Sequence, residues 1–196
     1  FLGKEKKIKS DIIEVHNRPN YIKPLLELDY TKLVLYFHND PLQMQGSKST
    51  KDREYLLNNL SYIVFNSEWS KNRFIKNLNL SNNQKNQLIV IKQSVDPKKV
   101  DLNKKRKIIT FVGKLNRAKG FDIFGDSVCK ILDKNPDWKA IAVGDEHREK
   151  LYFNHKNFKQ IGFLSHDKVL KIYEKTSIAV VCSRWEEPFG RTSLEA

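Results

Sequence analysis

Short apolar runs recur along the chain and alternate with segments of helical spacing. Several runs are almost continuous valine, isoleucine and leucine, which is typical of parallel strands buried on both faces. Segments such as 121–135 and 165–176 place apolar residues three and four apart, as amphipathic helices do. Ser67 is a candidate N-cap for a further helix over 67–78. The alternation predicts an α/β fold with parallel sheets. The runs with strand character are 11–16, 32–38, 62–67, 87–91, 107–113, 139–144, 158–163 and 177–183.

The polar segment 92–107 contains a proline, a run of charged residues and few apolar residues. We interpret it as a linker between two α/β domains, 1–100 and 101–196. The second domain stops at Ala196, soon after a helix begins near Gly190. We therefore expect a piece of a longer protein that is truncated at both ends, with an incomplete N-terminal domain.

Composition limits the possible partners. Hydrophobic residues make up 39% of the chain, and no apolar run approaches the roughly 18 residues of a membrane span. The net charge of +13 would suit nucleic acid, a membrane surface or a phosphorylated substrate. However, 28 of the 36 basic residues are lysine, and lysine, asparagine and isoleucine share A/T-rich codons, so genome composition accounts for the excess equally well. Because the charge is spread evenly along the chain, we expect no nucleic-acid partner.

Cys129 and Cys182 lie in apolar surroundings without metal-ligand spacing. Such cysteines are typical of reduced core residues in a cytoplasmic protein. We therefore expect a cytoplasmic location, with peripheral contact to the inner face of the membrane as an alternative.

The segment FVGKLNRAKGFD, 111–122, follows a predicted strand and leads into a predicted helix. Gly113 would end the strand and allow close backbone approach. Lys114 and Lys119 would then lie at the carboxyl edge of the sheet, where open α/β sheets bind ligands. Two cations at such an edge suit a diphosphate, and a solvated lysine-rich loop is the alternative.

The chain closes on RWEEPFGRTSLEA, residues 184–196. The amides at 190–192 would begin a helix, and helix N-termini attract phosphate oxygens. Glu195 would lie one helical turn in, where a carboxylate can accept hydrogen bonds from a ribose diol. Glu187, held in a non-helical turn by Pro188, would reach sugar hydroxyls. The same spacing fits a capping carboxylate and an ordinary surface glutamate, so that alternative stays open.

In their order, these motifs resemble those of the family 4 glycosyltransferases, which are retaining enzymes of the GT-B fold. Glu187 and Glu195 match the E-x7-E motif of that family. The resemblance implies two Rossmann-like lobes with parallel sheets, the first one incomplete. The motifs that carry it are GKLNRAKG (113–120), VGD (143–145), IGFL (161–164) and VCSRWEEPFG (181–190).

The resemblance also implies a nucleotide-sugar donor, with UDP and GDP both open as the nucleotide. In such enzymes the two lysines and the amides at 190–192 would hold the diphosphate. Glu195 would hold the ribose, and Glu187 would contact the sugar together with the Phe189 and Gly190 backbone. By this resemblance, we expect the catalytic residues to be His38, Glu187 and Lys119. We expect the donor-binding residues to be Gly113, Lys114, Lys119, Phe189, Gly190, Arg191, Thr192 and Glu195.

Three residues of the N-terminal half complete the predicted site. His38, in LYFHNDP, resembles the histidine of the family that touches the donor sugar near the reacting carbon; a loop histidine that caps a carbonyl is the alternative. His16 and Arg18, in EVHNRP, also follow a strand and would face the acceptor. The segment 66–68 is expected to begin a helix rather than to bind a ligand.

The sequence departs from the family at Lys114, where arginine is usual. Lysine keeps the charge but loses the bidentate fork, which Arg117 or Arg191 would have to supply. No D-x-D motif occurs, so we expect a metal-independent enzyme with no cofactor beyond its donor substrate.

We therefore expect a retaining, hexosyltransferase-like enzyme that moves a sugar from a nucleotide diphosphate to a glycan or glycolipid acceptor in cell-surface polysaccharide or glycolipid synthesis. Two alternatives remain: a non-enzymatic module that binds nucleotides or polyanions, and another GT-B enzyme such as a nucleotide-sugar epimerase. A polyanion binder gains nothing from carboxylates at its phosphate edge, so the pairing of Glu187 with Glu195 favours the transferase. Since parts of both domains are expected to be missing, residues 1–196 alone should be inactive.

Overall fold

Each half of the chain is built around a parallel β-sheet in the computed structural model. Contacts divide the chain into two compact units, Phe1–Gln93 and Ser94–Ala196, and the division falls inside the segment predicted as a linker. The predicted α/β class is confirmed. The roles expected of the two domains, acceptor-side and donor-binding, stay predictions. The structure describes residues 10–27, 32–97 and 99–196.

In the described part of the first unit, four strands lie side by side in chain order and all run parallel. They are β1 (Ile13–His16), β2 (Leu33–Phe37), β3 (Tyr62–Phe65) and β4 (Leu88–Val90). The connections contain α1 (Ile22–Leu26), α2 (Thr50–Asn59), α3 (Glu68–Ile75), α4 (Asn82–Asn86) and the 3₁₀ turns Pro19–Tyr21 and Pro41–Gln43. The rings of Phe37, Phe65 and Phe74 are fully buried, with centroids 5.3 to 5.6 Å apart. Burial of these rings fixes β2, β3 and α3 against one another.

A buried arginine joins α2 to α3. The helix α2 begins with a capping box formed by Ser49 and Asp52. Arg53, in its first turn, is 3% exposed. Its Nη1 donates to three carbonyls at the end of α3, those of Arg73, Phe74 and Lys76. These bonds supply donors that a helix C-terminus lacks.

The sheet of the second unit has the strand order β7-β6-β5-β8, and its strands are also parallel. They are β5 (Arg106–Val112), β6 (Lys139–Val143), β7 (Phe158–Gln160) and β8 (Thr176–Val180). The helices are α5 (Phe121–Lys134), α6 (His166–Tyr173) and α7 (Arg191–Glu195), with a 3₁₀ turn at Leu102–Lys104. No described helix in either unit is long and apolar enough to cross a membrane. Because the chain first builds outward from β5 to β7 and then returns to the other side of β5, the order reverses between β5 and β8. Ligands of open α/β sheets bind at such a point.

All eight predicted runs contain a strand, each within three residues of its predicted bounds. The helices predicted over 67–78, 121–135 and 165–176 are present, and the Ser67 hydroxyl accepts from the Ser70 amide as an N-cap. The helices α1, α2 and α4 were not predicted. The buried side of α2 includes Arg53, so its sequence lacks a continuous apolar stripe.

Candidate functional site

The loops that follow β5 and β8 meet where the strand order reverses. The residues that face each other there come from 111–119 and 180–192. Gly113 follows β5 directly, and its amide donates to the Val143 carbonyl of β6 at 3.0 Å. The polar and glycine residues that line this small pocket are Gly113, Lys119, Ser183, Glu187, Gly190 and Thr192.

Glu187 makes several hydrogen bonds in this pocket. Its Oε1 accepts hydrogen bonds from Lys119 Nζ, from Ser183 Oγ at 2.7 Å and from Trp185 Nε1 at 3.1 Å. The Lys119 ammonium also lies 4.9 Å from the centroid of the Trp185 ring, as in a cation–π contact. Burial alone raises the pKa of Glu187, but these hydrogen bonds outweigh it, so its pKa lies below the ordinary value. Glu187 is therefore ionised, with one oxygen held by three donors.

The loop that carries Lys119 is tied to the loop after β8. The Arg184 amide donates to the Ala118 carbonyl at 3.0 Å. Its guanidinium donates to both carboxylate oxygens of Asp122, at 2.6 and 2.7 Å, and to the Arg117 carbonyl at 2.7 Å. The Arg184 hydrogen bonds hold the pKa of Asp122 below its usual value. The two loops therefore form one framework around Lys119 and Glu187.

Glycine is required next to Lys119. Gly120 precedes α5 with φ of 74°, a left-handed conformation. A β-carbon at this position would lie 1.9 Å from the carbonyl oxygen of Cys182. The backbones of the two loops thus approach more closely here than any other residue allows.

Glu195 is held in a similar way, at the end of α7. Its Oε1 accepts from Arg191 Nε at 2.7 Å and lies 3.1 Å from His166 Nε2. Its side chain is only 10% exposed. Gly190, which precedes α7, has φ of 77°, and Ser193 Oγ donates to its carbonyl at 2.6 Å.

In the first unit, the predicted histidines lie together at the carboxyl ends of β1 and β2. His16 Nδ1 is 2.9 Å from His38 Nε2, and His16 Nε2 is 3.2 Å from Glu14 Oε2. Burial, and then the neighbouring His16, lower the pKa of His38. Arg18 turns back on the chain and donates to the Asn17 carbonyl at 2.8 Å. The structure therefore brings His16 and His38 together and leaves Arg18 outside this pair.

The comparison with protein families decides the classification. The profile described as Glycosyl transferases group 1 matches residues 92–196, more than half of the chain. The chain belongs to the group 1 glycosyl transferases.

Two relatives of this group 1 glycosyl transferase show how much of a longer chain it resembles. The lipopolysaccharide core biosynthesis mannosyltransferase LpsB of Rhizobium meliloti is 31% identical over 109 residues, covering 50% of this chain and 31% of LpsB. An uncharacterized 42.6 kDa protein in the cps region of Klebsiella pneumoniae is 33% identical over 96 residues, covering 46% of this chain and 23% of that protein. The chain thus matches less than a third of the length of either relative.

Solved structures confirm the GT-B-like fold of two Rossmann-like lobes. Anabaena Alr3699/HepE in complex with UDP superposes with a TM-score of 0.72 at 17% identity, over 100% of this chain and 60% of HepE. A glycosyltransferase from Rickettsia africae gives 0.67 at 18% identity, over 98% and 56%. At these identities the likeness establishes the fold alone.

This group 1 glycosyl transferase has a lysine at position 114 and so lacks a bidentate guanidinium there. Arg117 and Arg191 were the two candidates to supply it. Arg117 Nε lies 3.6 Å from Glu149 Oε1, and Arg191 donates to Glu195. Both guanidinium groups are thus already directed at carboxylates. Lys114 is exposed, and within the described residues its side chain has no hydrogen bond or ion pair.

Several residues of the site were not predicted. Trp185 stands inside a motif quoted above, so its closeness to Glu187 in sequence was the available signal. Ser183, by contrast, was expected at this edge of the sheet, because it ends the run 177–183. The sequence contained no signal for His166, because its contact with Glu195 joins residues that are 29 positions apart. The segment 66–68 begins α3, as expected, and Asn66 Nδ2 also donates to the His38 carbonyl at 3.0 Å. Within the described residues no group of three or more His, Cys, Asp or Glu side chains could hold a metal ion.

Proposed function

We propose that the full-length protein is a retaining glycosyltransferase of family 4. It would move a sugar from a UDP- or GDP-sugar to a hydroxyl group of a glycan or glycolipid acceptor. The observation that carries this proposal is the contact between Lys119 and Glu187 at the carboxyl ends of β5 and β8. A nucleotide sugar presents phosphate oxygens next to sugar hydroxyls, and a cation beside an ionised carboxylate matches both.

The geometry suggests how the pair would act. A lysine ammonium has three donors, so Lys119 can keep its bond to Glu187 and still donate to a phosphate oxygen. Negative charge grows on the diphosphate as the sugar leaves, and a donor fixed in advance stabilises that charge without reorganising. Glu187 Oε1 is occupied by protein donors, so Glu187 would accept from the sugar through Oε2.

The same contact argues against a polyanion-binding module. A surface selected to hold polyanions would leave its cations unpaired, whereas here the half-buried Lys119 is paired with the carboxylate of Glu187. Relatives support the donor class and the role in surface glycans: a HepE structure contains UDP-glucose, and LpsB is named for lipopolysaccharide core synthesis. We also propose a cytoplasmic location with peripheral membrane contact, and donor binding without a metal ion.

Calorimetry on the full-length protein tests the proposal. UDP and GDP should bind, and binding should survive a chelator. Glu195→Ala should weaken the preferred nucleotide by about 10- to 100-fold, because hydrogen bonds to a charged acceptor contribute about 1.5–3 kcal/mol. Pyrophosphate affinity should hardly change, since pyrophosphate carries no ribose. Glu186→Ala serves as the control. Glu186 is an exposed glutamate in the same segment of the chain, and its loss should affect the binding of neither ligand.

Two results would count against this function. An equal effect of Glu195→Ala on nucleotide and pyrophosphate would refute the ribose assignment. If UDP and GDP bound no more tightly than pyrophosphate, the protein would be better described as a polyanion-binding module.

A further inference from the structure

The two donors to Glu195 converge on one of its oxygens. Arg191 Nε and His166 Nε2 both approach Oε1, at 2.7 and 3.1 Å. No hydrogen bond to Oε2 is found in the described part of the chain. The carboxylate is therefore fixed through one oxygen and keeps the other for a ligand.

The two donors differ in what they attach Glu195 to. Arg191 lies on α7 itself, four residues before Glu195. This bond lies within one helix and does not attach Glu195 to any other element of the second unit. His166 is the first residue of α6, a helix that packs beside β8. The His166 contact therefore attaches Glu195 to the body of the second unit.

The surroundings of Glu195 fit a binding role. A cavity of about 450 Å³ borders both His166 and Glu195, and Asp96, Pro97 and Leu170 also line it. Small-molecule sites have volumes of this order. Burial, and then the negative charge of Glu195, raise the pKa of Tyr173 on α6. The carboxylate thus acts on groups of α6 while its side chain is largely shielded from water.

On the basis of the function proposed above, we propose that His166 is a positioning residue for nucleoside recognition. It holds Glu195 Oε1 so that Oε2 meets the ribose hydroxyls without first losing side-chain freedom. A glutamate side chain has several rotatable bonds, and ordering a flexible side chain on binding costs affinity. The bond requires only a donor at the position of Nε2. His166→Gln keeps an amide donor near that position, whereas His166→Asn is too short to reach Oε1.

The test compares three ligands by calorimetry on the full-length protein. They are UDP or GDP, whichever the wild type binds more tightly, its 2′-deoxy analogue, and pyrophosphate. His166→Ala and His166→Asn should weaken the nucleotide by about three- to tenfold, the range of one neutral hydrogen bond. Both variants should lose most of the preference for the nucleotide over the 2′-deoxy analogue and leave pyrophosphate unchanged. His166→Gln should restore the wild-type values to within about twofold.

His147→Ala is the matched control. His147 is an exposed histidine of the same unit that pairs with Asp145 at 3.6 Å, and its loss should change no ligand. If His166→Ala does not fold, the contrast between the asparagine and glutamine variants carries the test. Wild-type ribose preference in His166→Asn would overturn the positioning role while leaving the transferase proposal intact. Equal weakening of nucleotide and pyrophosphate would show that His166 acts only on folding. A wild type without ribose preference would instead contradict the proposed function itself.

Discussion

Gly120→Ala is predicted to disrupt the framework that holds Lys119. The new β-carbon would lie 1.9 Å from the Cys182 carbonyl oxygen and 2.8 Å from its carbonyl carbon. An ordinary C···O contact is about 3.3 Å or longer. The two backbones would therefore have to separate by roughly 1.4 Å, at the point where one loop carries Lys119 and the other carries Ser183.

The expected loss of stability follows from three contributions. A left-handed conformation costs a residue other than glycine about 1–2 kcal/mol. Relieving an overpacked contact costs about 1–3 kcal/mol. Alanine also restricts the unfolded chain, which returns about 0.4–1 kcal/mol. The net destabilisation of the second unit should be about 3 kcal/mol.

Gly162→Ala provides a matched control. Gly162 has φ of 73°, almost the same as the 74° of Gly120, but a β-carbon there meets nothing within 4 Å. This variant should lose only about 1 kcal/mol, because the conformational cost is present and the clash is absent. The difference between the two variants therefore measures the clash.

Native-state hydrogen exchange read by mass spectrometry is the appropriate assay. It reports the opening free energy of peptides from β5 and α5 separately from those of the first unit. A difference between the two variants of less than about 0.5 kcal/mol would refute the close backbone approach. Loss of nucleotide binding in Gly120→Ala but not in Gly162→Ala would connect the framework to the site.

Three further predictions concern the two units separately. Lys119→Ala should lower turnover of the full-length enzyme on the order of 100-fold, whereas Lys114→Arg should be tolerated; steady-state kinetics with UDP- and GDP-sugars checks both. Arg53→Leu should destabilise the first unit by about 3 kcal/mol, because three carbonyls at the end of α3 lose their buried donor; urea unfolding followed by hydrogen exchange of α3 measures this loss, and retention of full stability would contradict it. The pKa of His38 lies below 6.5 because of burial and the neighbouring His16, so the unfolded chain binds more protons and stability should fall as the pH drops from about 6.5 toward the folded pKa. In an NMR titration His16→Ala should raise the His38 pKa without restoring it fully, and an unchanged value would exclude the contribution of His16.

The sequence by itself determined most of the elements and the candidate residues of the site. Short apolar runs marked the strands, and several were almost continuous valine, isoleucine and leucine, because a parallel strand buried on both faces is apolar along its length. Ser67 marked the start of α3, because an N-cap needs a side-chain acceptor at that position. The motifs around Lys119, Glu187 and Glu195 were found because each is a short segment whose spacing is visible without the fold.

Only the tertiary structure decided which of these residues meet. Lys119 and Glu187 lie 68 residues apart, and they touch because β8 returns to the open side of β5 rather than extending the sheet beyond β7. The contact between His166 and Glu195 and the cap that Arg53 provides for α3 likewise join segments that are distant in sequence. The pattern of a segment is set by local dihedral angles and by the period of burial. Strand order depends instead on how the whole unit buries its apolar surface, which no single segment of sequence records.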